Sequence, residues 1–293
     1  MFKGARFGQA LLRARAETHR NHPQTNTWGV FQAYGDEQYR FPVAEDSDTI
    51  EPDAYVHPSH LIADLEMLSA RLKDATPADR NKYYLIQLKN IEKSARGADF
   101  QHAGVRERLA VAWAEMGDKE RAINHYRAAL TFEDAGVSLH ALEQLANLEI
   151  RHGAALLADR DKQEKKEQRQ KGAAFMKAGR VRLEQLINLG ETTERLSLLG
   201  SYWKRWAQAH VAQGNTKALN TWLAEMERAY WQAAEHSNKR TGCWDYYPLL
   251  NALDSAFLRA SWGERERFAE LSSRLPDLLR AAADNGRRRF AEN

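Results

Sequence analysis

Residues Arg106–Asp134, RERLAVAWAEMGDKERAINHYRAALTFED, decide the fold of this chain. Apolar residues recur there at spacings of three and four, which is typical of amphipathic helices. A Gly-Asp pair interrupts the pattern once and indicates a turn between two helices. Small residues would let the two helices approach closely, and large ones would fill the space between them. The register is kept by Leu109, Ala110, Trp113, Gly117, Asp118, Ala122, Ile123, Tyr126, Ala129 and Leu130.

This segment resembles one tetratricopeptide repeat, although Asp134 stands where that family usually has a proline. The same skeleton recurs more weakly twice downstream. Its positions there are Leu142, Leu145, Ala146 and Gly153, and then Leu196, Leu199, Gly200, Trp203, Ala207 and Gly214. Three such pairs are enough to stack. The resemblance implies an all-α protein, built as a right-handed superhelical array of antiparallel helix pairs.

The sequence predicts three segments along the chain. Residues 59–293 form the predicted helical repeat domain, in which Thr76 and Pro77 mark a helix start. Its last helix is expected to stop at Asn285-Gly286. Residues 42–58 contain three prolines and several acidic residues, and we interpret them as a linker. Residues 1–41 form a separate helix-plus-strand segment, with a strand predicted around Trp28 because bulky β-prone residues gather there.

The N-terminal segment carries a second resemblance. Phe7-Gly8-Gln9-Ala10, Arg15 and the stretch Asn26–Asp36 resemble the final helix and strand of CHAT-type, caspase-like peptidase domains. That family's catalytic histidine and cysteine would lie upstream of Met1, so no catalytic residue is carried over. The resemblance implies that the chain derives from, or belongs to, a larger protease-like architecture.

The helical part carries a third resemblance. Glu194–Arg205, ERLSLLGSYWKR, and Tyr246–Asn251, YYPLLN, are similar to the tetratricopeptide-type TRAFs-binding domain. That region is known from apoptosis-signal-regulating kinases and from bacterial multidomain proteins. The resemblance implies a regulatory scaffold in bacterial signalling.

Composition excludes several classes of function. The formal net charge is only +3, which gives no general attraction to nucleic acid or to an anionic membrane. Acidic residues also interrupt the basic residues of 159–171, so a solvated helix extension is preferred there to a nucleic-acid patch. Cys243 is the single cysteine, and no run of about 18 apolar residues occurs. We therefore expect a cytoplasmic protein without membrane contact.

Two candidate chemical sites have ordinary explanations. Cys243 could be a nucleophile at a helix start, but His236 is its only histidine neighbour in sequence, and a buried small residue is commoner there. His57 and His60 could bind a metal ion, but capping of a helix explains them better. We expect no catalytic residue, no metal site and no cofactor.

The aromatic residues of one later helix suggest a binding surface. Trp203 falls at a packing position, as does Trp113, whereas Trp222, Tyr230 and Trp231 cannot all lie on one narrow stripe. Interfaces are enriched in Trp, Tyr and Arg. The hypothesis is that a partner binds at Trp222, Tyr230, Trp231 and Arg228.

The functional prediction is a non-catalytic scaffold that binds a protein or peptide, with a homo-oligomer as a possible form. One alternative is the C-terminal regulatory and substrate-positioning arm of a CHAT/caspase-like cysteine protease. Another is a sensor that binds a small molecule or nucleotide between helix pairs.

Overall fold

A computed structural model describes residues 6–26, 29, 34, 36–37, 55, 57–97, 100–133, 136–158, 165–261 and 265–291. The chain separates into two compact units, Met1–Asp53 and Ala54–Asn293. The second unit thus begins inside the segment interpreted as a linker. The first unit contains helix α1, Phe7–Asn21, in which no residue is buried. Within the described ranges no helix is both long and apolar enough to cross a membrane.

The predicted N-terminal strand is not seen. No strand occurs among the described residues, and Gly29 is helical. Trp28, on which the prediction centred, lies outside the described residues together with residues 27 and 30–33. An isolated extended segment gains no stability without a second strand to pair with, and the described part of the chain offers none.

The second unit is an all-α array, which confirms the predicted fold class. Helices that follow one another along the chain pack against each other, and several also contact the next helix but one. The helices are α2 Pro58–Asp74, α3 Leu85–Ser94, α4 Ala103–Met116, α5 Lys119–Ala129, α6 Leu139–Ala158, α7 Lys165–Leu189, α8 Thr193–Ala212, α9 Leu219–Thr241, α10 Tyr246–Ser261 and α11 Arg265–Ala291. A helical turn, Pro77–Asp79, and a π-helical segment, Arg80–Tyr84, precede α3.

Polar side chains cap the first helices as their sequences predict. The His57 ring accepts a hydrogen bond from the Ser59 backbone N–H at the start of α2. Thr76 accepts one from the Asp79 N–H, at 3.3 Å, and Pro77 follows it in the first turn. Each cap satisfies a backbone donor that has no partner inside its own helix.

The segment that predicted the fold forms α4, a tight turn and α5. Gly117 adopts a left-handed conformation, with φ of 91°, and ends α4. Asp118 then caps α5 by accepting a hydrogen bond from the Arg121 N–H. Seven of the eight apolar register positions point into the core, each at most 3% exposed: Leu109, Ala110, Trp113, Ala122, Ile123, Tyr126 and Ala129. The eighth, Leu130, is 38% exposed at the end of α5, so its predicted place in the core is wrong. Asp134 lies outside the described residues.

Close approach of backbones sets the packing of the later pairs. A Cβ atom built on Gly153 of α6 would lie 2.5 Å from the Gly172 carbonyl oxygen of α7. A Cβ on Gly200 of α8 would lie 2.7 Å from the ring of Tyr230 in α9. Only glycine fits at either contact, because Cβ atoms of real proteins do not come this close to other atoms.

The last helix of the array ends later than predicted. Helix α11 continues through Asn285 and Gly286 to Ala291, so the expected stop is wrong. It also contains Pro276 in its interior. Leu278 and Ala282 of α11 are buried against a cluster that includes Leu249 and Leu253 of α10. This packing favours a continued helix, and it outweighs the roughly 1 kcal/mol that a helical glycine costs relative to alanine.

Candidate functional site

An apolar groove opens between α8 and α10, both of which pack against α9. Its volume is about 260 Å³. Helix α9 forms the floor, and α8 and α10 form the walls. The residues that line this α8–α10 groove are Lys204, Ala207, Gln208, Val211, Leu219, Leu223, Met226, Asp254 and Leu258.

The two ends of the groove differ in polarity. At one end the Lys204 ammonium group donates a hydrogen bond to Asn251 Oδ1, at 2.9 Å, and so joins α8 to α10. At the other end the groove is lined by Val211 of α8 and Leu258 of α10, which are 43% and 49% exposed. Large exposed apolar side chains on both sides of a concave surface are typical of an interaction site.

The floor of the groove rests on a well-packed hydrophobic cluster. Leu219, Leu223 and Met226 are each at most 7% exposed and pack together with Ala207 and Tyr230. Packing of this kind holds the groove open in the unbound chain. A partner therefore meets a preformed surface, which lowers the entropic cost of binding.

The predicted partner-binding residues lie near this groove but do not line it. Tyr230 is fully buried, with its ring against Gly200. Trp222 and Trp231 are half-buried and pack against the cluster beneath the floor. Arg228 is exposed and forms an ion pair with Glu225 on its own helix. Their predicted role in binding stays a prediction.

Trp231 is engaged within the protein at several points. Its indole N–H donates to Glu235 at 2.8 Å, its ring lies 6.1 Å from that of Trp244, and the Arg274 guanidinium group lies 5.7 Å from its ring. These contacts give it a structural role between α9 and the helices that follow. Trp203, expected to fill the core, is half-buried, and the Arg180 guanidinium group lies over its ring at 5.2 Å.

Sequence reasoning missed the groove residues themselves. Val211, Asp254 and Leu258 are common residue types in helices, and nothing in their local pattern marks them as functional. A signal was nevertheless present in α10, where Tyr247, Leu250 and Leu258 share a helical face and stay partly exposed, although the Tyr247 ring also contacts the buried ring of Tyr230.

A histidine beside Trp222 gives a pH-dependent prediction. The His210 ring lies 4.7 Å from the rings of both Trp206 and Trp222, and this burial lowers the pKa of His210. The unfolded chain therefore binds a proton more readily than the folded protein. The contribution of His210 to stability is present above its ordinary pKa of about 6.5 and is lost as the pH falls from there toward its folded pKa.

We expect the free energy of unfolding to fall less steeply from about pH 7 to about pH 5 in a His210→Phe variant than in the wild type. Urea titrations at several pH values measure this slope. Burial also lowers the pKa of His125 and His152, so part of the slope remains in the variant. Equal slopes would show that His210 does not titrate differently in the two states.

The candidate chemical sites find no supporting geometry. Cys243 is half-buried, and its N–H donates to Thr241 Oγ1. His236, its candidate base, is paired with Thr193 at 3.2 Å. His57 serves as a helix cap. Among the described residues no group of three or more His, Cys, Asp or Glu side chains is arranged to hold a metal ion.

Comparison with known proteins adds one finding. Residues 118–259, slightly less than half of the chain, match the family described as Tetratricopeptide Repeats-Sensor, TPR-S. The match includes α8 and α9 and nearly all of α10, and with them every residue that lines the groove. No curated protein and no solved structure matches the chain. The resemblances to the TRAFs-binding domain and to a CHAT-type segment receive no support and stay predictions. The chain therefore contains a tetratricopeptide-type domain.

Proposed function

We propose that this chain is a non-catalytic scaffold that binds a protein partner through the α8–α10 groove. The observation that carries the proposal is a preformed apolar groove of about 260 Å³ inside the region of tetratricopeptide type. Domains of this type usually act by binding other proteins. The groove gives such a partner a defined place on the array.

The size of the groove favours protein side chains as its occupants. Sites for drug-sized molecules have volumes of roughly 300–1,000 Å³ and enclose most of the ligand. This groove is smaller and open along α8 and α10. It has room for one or two apolar side chains that belong to a larger partner.

The charges around the groove do not favour a nucleotide. Lys204 is the one cationic residue that lines it, and its ammonium group is bonded to Asn251. Asp254 would repel a phosphate group. A family described as a sensor can detect a protein as well as a small molecule, and the groove supports the protein.

A Leu258→Glu variant tests the proposal. A carboxylate placed at the apolar end of the groove would have to lose its hydration on binding, so we expect capture of the partner to fall by about tenfold or more. The full chain is immobilised and exposed to a lysate of its source cells. The proteins retained by wild type and variant are then compared by quantitative mass spectrometry.

Leu189→Glu is the matched control, because Leu189 is 73% exposed on α7 and lies away from the groove. This variant should retain the partner as the wild type does. Circular dichroism checks that both variants are folded. Equal retention of every specific protein by wild type and Leu258→Glu would refute binding through the groove.

A further inference from the structure

Helix α10 presents an apolar stripe that extends the groove. Tyr247, Leu250 and Leu258 are 46%, 37% and 49% exposed, and Asp254 is exposed between the last two. Their spacings of three, four and four residues place all four on one face of the helix. This α10 stripe spans twelve residues, or about 16 Å at the rise of an α-helix.

The stripe and the groove form one continuous surface. Asp254 and Leu258 belong to both, and Val211 continues the surface onto α8. Its length equals about three turns of an α-helix. A helical segment laid along α10 could insert its apolar side chains into the groove at one end and cover Tyr247 at the other.

The surface does not suit an extended peptide. An extended chain leaves its backbone N–H and C=O groups unpaired unless a partner supplies hydrogen bonds. The groove offers only the side chains of Lys204, Gln208 and Asp254 for this purpose. A helical partner satisfies its own backbone groups and needs only apolar contact.

Asp254 gives the surface a negative charge. Its carboxylate makes no hydrogen bond or ion pair with any residue that the structure describes, whereas the nearby Lys204 is bonded to Asn251. An apolar partner that covered Asp254 would remove the water around its carboxylate without supplying a hydrogen bond or a counter-charge. A lysine or arginine of the partner placed opposite Asp254 removes this cost.

We propose that the groove and the α10 stripe bind an amphipathic helix of a partner protein, with a basic residue opposite Asp254. This proposal rests on the proposed function and adds the chemistry of the partner. A symmetric pair of copies fits the surface less well. A two-fold contact along α10 would bring Asp254 close to its own copy, and like charges at close range repel.

The test uses two synthetic peptides of about 12 residues, which is enough for three helical turns. Both have leucines along one face and a lactam bridge that holds them helical. They differ only in one residue on the leucine face, the one meant to lie opposite Asp254, which is lysine in one peptide and glutamate in the other. Fluorescence anisotropy with the full chain measures their affinities.

We expect the wild type to bind the lysine peptide about tenfold more tightly than the glutamate peptide, and Asp254→Lys to reverse that preference. Asp277→Lys is the control, because Asp277 on α11 carries the same charge on a side chain that is 84% exposed and lies outside the surface. This control should keep the wild-type preference.

Failure of this proposal is distinguishable from failure of the proposed function. If the wild type binds neither peptide, or binds both equally, the helical basic partner is overturned, while loss of partner capture by Leu258→Glu would still support the groove. A dimer in sedimentation that Leu258→Glu dissociates would also overturn it, because the occupant would then be a second copy. If Leu258→Glu retains as much partner as the wild type, the proposed function is refuted, whatever the affinities of the two peptides.

Discussion

Replacing Gly153 by alanine is expected to lower the free energy of unfolding by about 3 kcal/mol, the upper part of the range for overpacking in a core. The new Cβ would lie 2.5 Å from the carbonyl oxygen of Gly172 and 2.9 Å from the backbone nitrogen of Met176. Both are backbone atoms of α7, which cannot rotate away as a side chain could. Relief requires α6 and α7 to move apart.

The contact between α6 and α7 is crowded along its length. A Cβ on Gly172 would meet the Gly153 carbonyl oxygen at 2.8 Å, and one on Gly179 would meet the Ala146 carbonyl oxygen at 2.7 Å. Three glycines thus let the two backbones touch at two places, about two helical turns apart. Separation of the helices at Gly153 would weaken the dispersion contacts at the other two positions as well.

Gly286→Ala is the matched control for Gly153→Ala. Gly286 lies inside α11, and a Cβ there has open space around it. The substitution should raise the free energy of unfolding by roughly 0.5–1 kcal/mol, because alanine loses less backbone entropy than glycine in a helix. Urea denaturation followed by circular dichroism measures both variants. Unchanged stability in Gly153→Ala would show that the two helices are not in backbone contact.

The second large effect is expected at Glu149, whose side chain is fully buried. Its Oε1 atom accepts hydrogen bonds from Arg127 at 2.8 and 3.0 Å, and its Oε2 atom lies 3.5 Å from Arg182 Nε. Helices α5, α6 and α7 are thereby joined through one carboxylate. Glu149→Ala leaves two guanidinium groups without their counter-charge and opens a gap in the core.

We expect Glu149→Ala to cost about 3 kcal/mol, the low end for breaking a buried pair. The side chains of Arg127 and Arg182 are 42% and 22% exposed, so their guanidinium groups can recover part of their hydration. Glu184→Ala is the control, because it removes an exposed pair with Arg180 on the same helix and should cost less than about 1 kcal/mol. Similar losses in both variants would contradict a special role for Glu149.

Local patterns predicted those parts of the fold that depend on neighbours along the chain. The cap at Thr76 and the turn at Gly117-Asp118 each involve residues within one helical turn. The expected stop at Gly286 was wrong because packing of α10 against α11 overrides the local preference. The predicted strand is not seen among the described residues, and strands need partners that no local pattern supplies.

The sequence by itself determined the helical repeat register, because the size of each side chain at a crossing point fixes how closely two helices approach. Only the tertiary structure decided where the groove lies. It depends on the separation of α8 and α10, which α9 imposes on residues such as Val211 and Leu258 that are far apart in the chain. Tyr230 illustrates the difference. Its aromatic ring suggested a binding residue, but the missing side chain of Gly200 makes room for that ring in the core.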